Sequence, residues 1–140
     1  MVSFNGRKEE KYNLISLKAG DGTREGLSLY WAEKYIQSEC TSENKIIIMI
    51  SDGAPEHSYN DKAGNEKAYS PPVSIKDTAL AVKKITKHGT GIVSIALTTP
   101  GEDDCYSQLK VMYKDVVACT DISKLTGQLL GVISKCLRRM

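Results

Sequence analysis

The strongest hydrophobic pattern in the chain is an unbroken apolar run at residues 46–50, within Lys-Ile-Ile-Ile-Met-Ile-Ser-Asp-Gly-Ala-Pro at residues 45–55. A β-branched run of this length is typical of a strand that is buried on both faces of a parallel sheet. The run stops at Ser51, so Asp52 is expected at the carboxyl end of that strand. Open α/β sheets bind their ligands at this end, which makes Asp52 the first candidate site residue.

The segments before this strand predict two further strands and a helix. Residues 12–18 alternate enough for a half-buried strand, and residues 2–4 predict the tail of another. A glycine-rich loop from Ala19 to Gly26 then opens a helix predicted over residues 24–38. The inner face of this helix is predicted to carry three large apolar side chains, four residues apart: Leu27, Trp31 and Tyr35.

After Pro55 the pattern becomes polar. Residues 56–72 are rich in asparagine, glycine and proline and predict a long surface loop. Ser74-x-x-Asp77 resembles a capping box and predicts a helix that His88-Gly89 ends. The remaining predicted elements are a strand at 91–97, a helix at 104–112, a strand at 115–119 and a last helix capped by Asp121.

Strands that alternate with helices predict a single α/β domain over residues 1–140, with a mostly parallel sheet between two helix layers. Right-handed crossovers carry the carboxyl ends of the parallel strands to one edge of the sheet. The glycine-rich loop opens its helix at the same edge. We therefore expect Thr23 and Asp52 to face one another across a crevice.

Composition excludes several classes of function. The 140 residues are 41% hydrophobic and 26% charged, and the net charge of +2 is too small to argue for nucleic acid or an anionic membrane. No apolar run approaches the roughly 20 residues of a membrane span. The four cysteines are widely spaced without a C-x-x-C pair, which predicts buried free thiols in the reducing cytoplasm.

A threonine hydroxyl and a carboxylate are hard oxygen donors, which suit Mg²⁺ or Mn²⁺. No histidine or cysteine is close enough in sequence to favour zinc. Two structural alternatives remain, because Thr23 could be only a helix cap and Asp52 only part of a turn. Glu56, His57 and Asp61 could form a second metal or partner site, or be solvated side chains of a loop.

Two motifs carry a resemblance to a known family. Gly-Thr-Arg-Glu-Gly-Leu at 22–27, followed by Trp31-Ala32, and Ile-Met-Ile-Ser-Asp-Gly-Ala-Pro at 48–55 resemble a von Willebrand factor A (vWA) domain. Within that superfamily they are most similar to the C-terminal vWA domain of CobT-type cobaltochelatase subunits, over residues 12–137. The resemblance implies a three-layer Rossmann-like fold.

The resemblance also implies a metal-ion-dependent adhesion site, in which Thr23 binds the ion directly and Asp52 binds it directly or through water. The function implied is a protein-binding module that recruits a carboxylate from its partner. Such a module would belong to a cobaltochelatase- or magnesium-chelatase-like complex with an AAA+ ATPase, in cobalamin biosynthesis, without turnover of its own.

One part of the family pattern is not found, namely the Asp-x-Ser-x-Ser loop. Its nearest counterpart, Asp121-Ile-Ser-Lys-Leu125, lacks the second serine and fits a helix cap better. We therefore expect a chain that begins after the family's first strand and helix, with weak or absent Mg²⁺ binding. The Lys45–Ser51 strand would keep an unpaired edge. That edge predicts a homodimer, a fragment of a longer protein, or residues 2–4 filling the gap.

An enzymatic alternative is a hydrolase with a metal-bound water at Asp52, or a nucleotide-dependent enzyme that uses the loop from Gly20 to Gly26. Neither is supported by a general base, a nucleophile–base pair or a phosphate-binding lysine motif in the sequence. The sequence therefore favours a binding module.

Overall fold

The computed structural model describes residues 22–97 and 103–138. The strands predicted at residues 2–4 and 12–18 lie outside this part of the chain. The described elements follow in this order: α1 (Glu25–Glu39), β1 (Lys45–Ser51), β2 (His57–Asn60), β3 (Glu66–Tyr69), α2 (Val73–Lys87), β4 (Thr90–Leu97), α3 (Asp103–Met112), β5 (Val116–Cys119) and α4 (Ile122–Leu137).

The main sheet is parallel and has the order β1-β4-β5. Every residue of β1 pairs with β4, from Lys45 opposite Thr90 to Ser51 opposite Ala96. The four residues of β5 pair with the second half of β4. The predicted α/β class with a mostly parallel sheet is confirmed. Because the three strands are parallel, their carboxyl ends lie at one edge of the sheet.

Apolar clusters cover both faces of this sheet. One cluster packs α1, α2 and α3 against it, and its buried members include Leu29, Val82, Ile85, Leu109 and Tyr113. The other packs α4 against the opposite face, around Val93, Val117 and Cys136. No helix in the described ranges is long and apolar enough to cross a membrane.

The prediction that β1 is buried on both faces is wrong. Ile47 is buried, but Ile48 is 43% exposed and Ile50 is 60% exposed. The cause is the position of α4, which packs over β4 and β5. It leaves uncovered the face of β1 that carries Ile48 and Ile50, which we call the outer part of β1. Within the described residues β1 is also an edge strand, since its ladder pairs it with β4 alone.

The predicted inner face of α1 is also wrong. Leu27 is 43% exposed and Trp31 is 61% exposed, with the Lys34 ammonium 5.1 Å from the centre of the indole ring. The buried residues are Glu25, Gly26, Leu29 and Glu33. The helix is thus rotated by roughly half a turn from the prediction. Its inner face carries Glu25, which accepts hydrogen bonds from two hydroxyl groups, and Glu33, whose carboxylate lies 3.4 Å from Nδ1 of His88.

The middle of the predicted loop at 56–72 is a β-hairpin. Strands β2 and β3 pair in antiparallel fashion, from His57 opposite Tyr69 to Asn60 opposite Glu66. One carboxylate oxygen of Asp61 accepts the N–H groups of Ala63 and Asn65, both at 2.9 Å, and so closes the turn. The loop prediction failed because four-residue polar strands carry no apolar alternation.

The capping box predicted for α2 does not form. The helix begins at Val73 without a side-chain cap, and the Ser74 hydroxyl is buried with no hydrogen-bond partner in the described part of the chain. Asp77 instead accepts a hydrogen bond from the Tyr69 hydroxyl at 2.7 Å. The predicted end of the helix at His88-Gly89 is confirmed.

Candidate functional site

Thr23 and Asp52 line one cleft of about 460 Å³ at the carboxyl edge of the sheet. Thr23 lies two residues before α1, and Asp52 directly follows β1. Both side chains are exposed, so a ligand in the cleft can reach them. The parallel topology brings the two residues together, as the order of the elements predicted.

Thr23 is held by the segment that leads into the hairpin. Its N–H donates to the carbonyl oxygen of Glu56 at 2.6 Å. The neighbouring Gly22 lies so close to this segment that a Cβ there would be 2.7 Å from the same oxygen. Only glycine allows this approach without a shift of the backbone, so the sequence Gly22-Thr23 fixes the threonine at the mouth of the cleft.

Asp52 is held by a tight turn. Its Oδ1 accepts the N–H of Ala54 at 3.1 Å, which leaves Oδ2 without a protein hydrogen bond among the described residues. Gly53 has a φ of +86°, and a Cβ at this position would lie 2.6 Å from the carbonyl oxygen of Cys105. Two separate reasons therefore favour glycine after the aspartate: the positive φ of this position and its close contact with α3.

Beneath the cleft, Glu25 connects three elements. It is 3% exposed and accepts hydrogen bonds from the Ser51 hydroxyl and, at 2.9 Å, from the Tyr113 hydroxyl. The Ser51 oxygen also accepts the N–H of Gly53 at 3.0 Å. Burial, and then the charge of Glu25, raise the pKa of Tyr113 above its usual value, so the phenol remains a donor. The start of α1 is thereby bonded to the end of β1.

The hairpin forms one wall of the cleft and is attached through Arg24. The guanidinium lies 5.8 Å from the ring centre of Tyr59 and 5.2 Å from that of Tyr69, within the range of cation–π attraction. Burial and the hydrogen bond to Asp77 raise the pKa of Tyr69 to about 12. At neutral pH the phenol is therefore protonated and continues to donate to that carboxylate.

The hairpin separates the three residues predicted as a second site, Glu56, His57 and Asp61. Glu56 and the half-buried His57 line the cleft beside Thr23 and Asp52. Asp61 closes the far turn of the hairpin, with the Lys67 ammonium 3.8 Å from its carboxylate. Sequence reasoning missed that His57 belongs with Asp52, since their proximity depends on a hairpin that the polar sequence did not indicate.

Glu25 was missed as well, although it stands in the Thr-Arg-Glu-Gly motif. Helical periodicity favours the face with Leu27 and Trp31, because a carboxylate is a poor candidate for a core position. The one available signal was its place in the first turn of a helix, two residues after the candidate Thr23.

The donor set fits a hard divalent cation only in part. The Thr23 hydroxyl and the free Oδ2 of Asp52 are oxygen donors of the kind that Mg²⁺ and Mn²⁺ prefer. However, the described residues contain no group of three or more histidine, cysteine, aspartate or glutamate side chains that could hold a metal ion. An ion held by these two residues would keep several water ligands.

Asp121 caps α4 and takes no part in this cleft. Its Oδ1 accepts the N–H of Ser123 at 3.0 Å and the hydroxyl of the same residue at 2.6 Å. The hydroxyl bond is the largest cause that lowers the pKa of Asp121. The interpretation of Asp121-Ile-Ser as a helix cap is confirmed.

Comparison with known proteins shows a likeness of fold alone. No family model and no curated protein matches the chain. Two crystal structures of the pilus adhesin SpaC from Lactobacillus rhamnosus GG, one of them in an open conformation, are similar, each with a TM-score of 0.59. Identity is 10% and 11%, over 94% of this chain and 22% of the adhesin. The chain thus spans about 22% of the length of that protein.

Proposed function

We propose that the chain is a protein-binding module of the vWA type, whose carboxyl-edge cleft takes a divalent cation together with an acidic group of a partner. The observation that carries this proposal is the meeting of Thr23 and Asp52 in one cleft, from two separate elements. The turn at Gly53 and the bond from Thr23 to Glu56 support it, because they hold both donors in place.

The charge of the donor set indicates what the site would recognise. Thr23 is neutral and Asp52 contributes one negative charge, so a bound divalent ion would retain positive charge. That charge would attract a carboxylate from a partner. In this proposal the chain orients two oxygen donors, and a bound ion would supply the electrostatic attraction for the partner's carboxylate.

The setting that the sequence motifs imply is a cytoplasmic chelatase-like assembly, in which an AAA+ ATPase subunit is the partner and this chain has no turnover of its own. The structurally similar pilus adhesin is by its name a binding protein, which is the class of function that we propose for this chain. The described cleft offers donors and acceptors from several elements, but no nucleophile paired with a base.

A metal titration tests the proposal. In the unaltered protein, Mg²⁺ or Mn²⁺ should raise the thermal unfolding midpoint, with a stabilisation of about 1.4 kcal/mol when the ion is at ten times its Kd. Asp52→Asn keeps an oxygen for the Ala54 N–H but removes the charge, so the effect of the metal should be lost. The measurement is far-UV circular dichroism at increasing metal concentration.

The matched control is Glu43→Gln, which removes an exposed carboxylate from the connection between α1 and β1. This variant should respond to metal as the unaltered protein does. A flat midpoint in the unaltered protein, or an equal rise in Asp52→Asn, would exclude a metal site at the cleft.

A further inference from the structure

A second cleft, of about 770 Å³, lies at the opposite, amino edge of the sheet. It opens between the last turns of α2 and α3 and the start of β4. Its floor is largely apolar, with Val82, Ile92 and Met112 among its lining residues. The eight residues of β4 separate this edge from the Thr23–Asp52 cleft by about 26 Å. We call it the lysine cleft, after the side chains at its rim.

Four exposed lysines stand on two sides of the lysine cleft. Lys83 and Lys87 lie one turn apart on α2, while Lys110 and Lys114 lie at the end of α3 and just beyond it. None of the four forms an ion pair with a described residue. Asp115 is the one acidic lining residue, so four positive charges and one negative charge give a local sum of +3, against +2 for the whole chain.

The apolar part of the cleft extends to the surface. Val111 lies between Lys110 and the buried Met112, and it is 67% exposed. An apolar floor between two rows of positive charge is complementary to a helix with an apolar face flanked by carboxylates. Lysines are mobile point charges on long stems, so they suit a row of carboxylates better than one fixed anion.

We propose that the lysine cleft binds an acidic amphipathic helix of a partner protein. The ammonium groups of Lys83 and Lys87 contact carboxylates on one flank of that helix, and those of Lys110 and Lys114 contact the other flank. Val111 and the floor bury its apolar face. This site shares no residue with the Thr23–Asp52 cleft, so the proposal does not depend on metal binding.

The test is fluorescence anisotropy with a labelled synthetic helix of about 18 residues, with leucines on one face and glutamates beside them. Lys83→Glu combined with Lys114→Glu should weaken binding about tenfold or more, because each wall loses an attraction and gains a repulsion. Lys62→Glu combined with Lys76→Glu changes the net charge equally at exposed lysines outside the cleft. This control should weaken binding less than about twofold.

A second variant tests the apolar contact. Val111→Ser alters an exposed side chain, so the fold should persist, and binding should weaken about three- to fivefold through lost apolar burial. Equal weakening by the two lysine pairs would overturn the proposal in favour of long-range attraction alone. An unaffected Val111→Ser would overturn it in favour of a purely ionic contact. Displacement of the peptide by inorganic phosphate at constant ionic strength would indicate a small-anion site instead.

Discussion

At the scale of single residues, Glu25 determines how the candidate site is assembled. A carboxylate is costly to bury unless donors surround it, and here two hydroxyl groups donate to it, from Ser51 and Tyr113. These bonds join the first turn of α1, the last residue of β1 and the residue after α3. The polar inner face of α1 is therefore part of the framework beneath Thr23 and Asp52.

Glu25→Ala should lower the free energy of unfolding by about 2–4 kcal/mol, because it leaves two buried hydroxyl groups without their acceptor. Urea denaturation followed by far-UV circular dichroism measures the change. Glu39→Ala, at the exposed end of the same helix, should stay within about 0.5 kcal/mol of the unaltered protein. Equal losses in the two variants would show that the buried bonds contribute nothing beyond helix propensity.

At the scale of elements, two glycines with the same backbone conformation have different surroundings. Gly53 has a φ of +86° and abuts the Cys105 carbonyl, whereas Gly64 has a φ of +83° and no atom within 4 Å of its would-be Cβ. Gly64→Ala should cost about 1–2 kcal/mol, which is the conformational strain alone.

Gly53→Ala adds a clash with α3 to that strain and should cost at least about 1 kcal/mol more. Thermal or urea unfolding of the two variants side by side gives the difference directly. If the two losses are the same, the packing of the Asp52 turn against α3 is looser than the structure indicates.

The bounds of the regular elements were predictable, although the buried faces of β1 and α1 were not. Strand β1 has its predicted bounds of Lys45 to Ser51, and α1 begins and ends one residue later than predicted. The β2–β3 hairpin was not predictable, because its stability comes from the aspartate turn and from the contact of Arg24 with two tyrosine rings. The contacts of Arg24 join distant parts of the chain and leave no local pattern.

The candidate site also has a part that could be predicted from the sequence and a part that could not. The proximity of Thr23 and Asp52 could be predicted, since parallel topology alone determines which loops share an edge of the sheet. Glu56 and His57 reach that cleft through the hairpin, and the orientation of Glu25 depends on a tyrosine 88 positions away. Neither of these two arrangements can be predicted from the spacing of residues or from hydrophobic periodicity.

At the scale of the whole molecule, the outer part of β1 is a candidate surface for self-association. Its edge is unpaired among the described residues, and Ile48 and Ile50 are exposed on one face. Exposed apolar strand edges pair readily with other chains. This is the surface at which the sequence predicts a homodimer.

Sedimentation velocity over a range of concentrations should therefore show association of the unaltered protein, and Ile50→Lys should reduce it by placing a charge on the exposed face. Leu80→Lys is the matched control, because Leu80 is 64% exposed on α2, which covers the other face of the sheet. It should leave association unchanged. A monomer at all concentrations would rule out self-pairing through β1.

The exposure of Trp31 decides which spectroscopic signal can follow these experiments. It is the one tryptophan in the sequence, and it stands in water on the outside of α1. Its side chain is already 61% exposed in the native state, so intrinsic fluorescence should change less on unfolding than that of a buried tryptophan, and backbone circular dichroism is the better readout. The same residue makes emission and iodide quenching a built-in probe for any partner that covers the outer surface of α1.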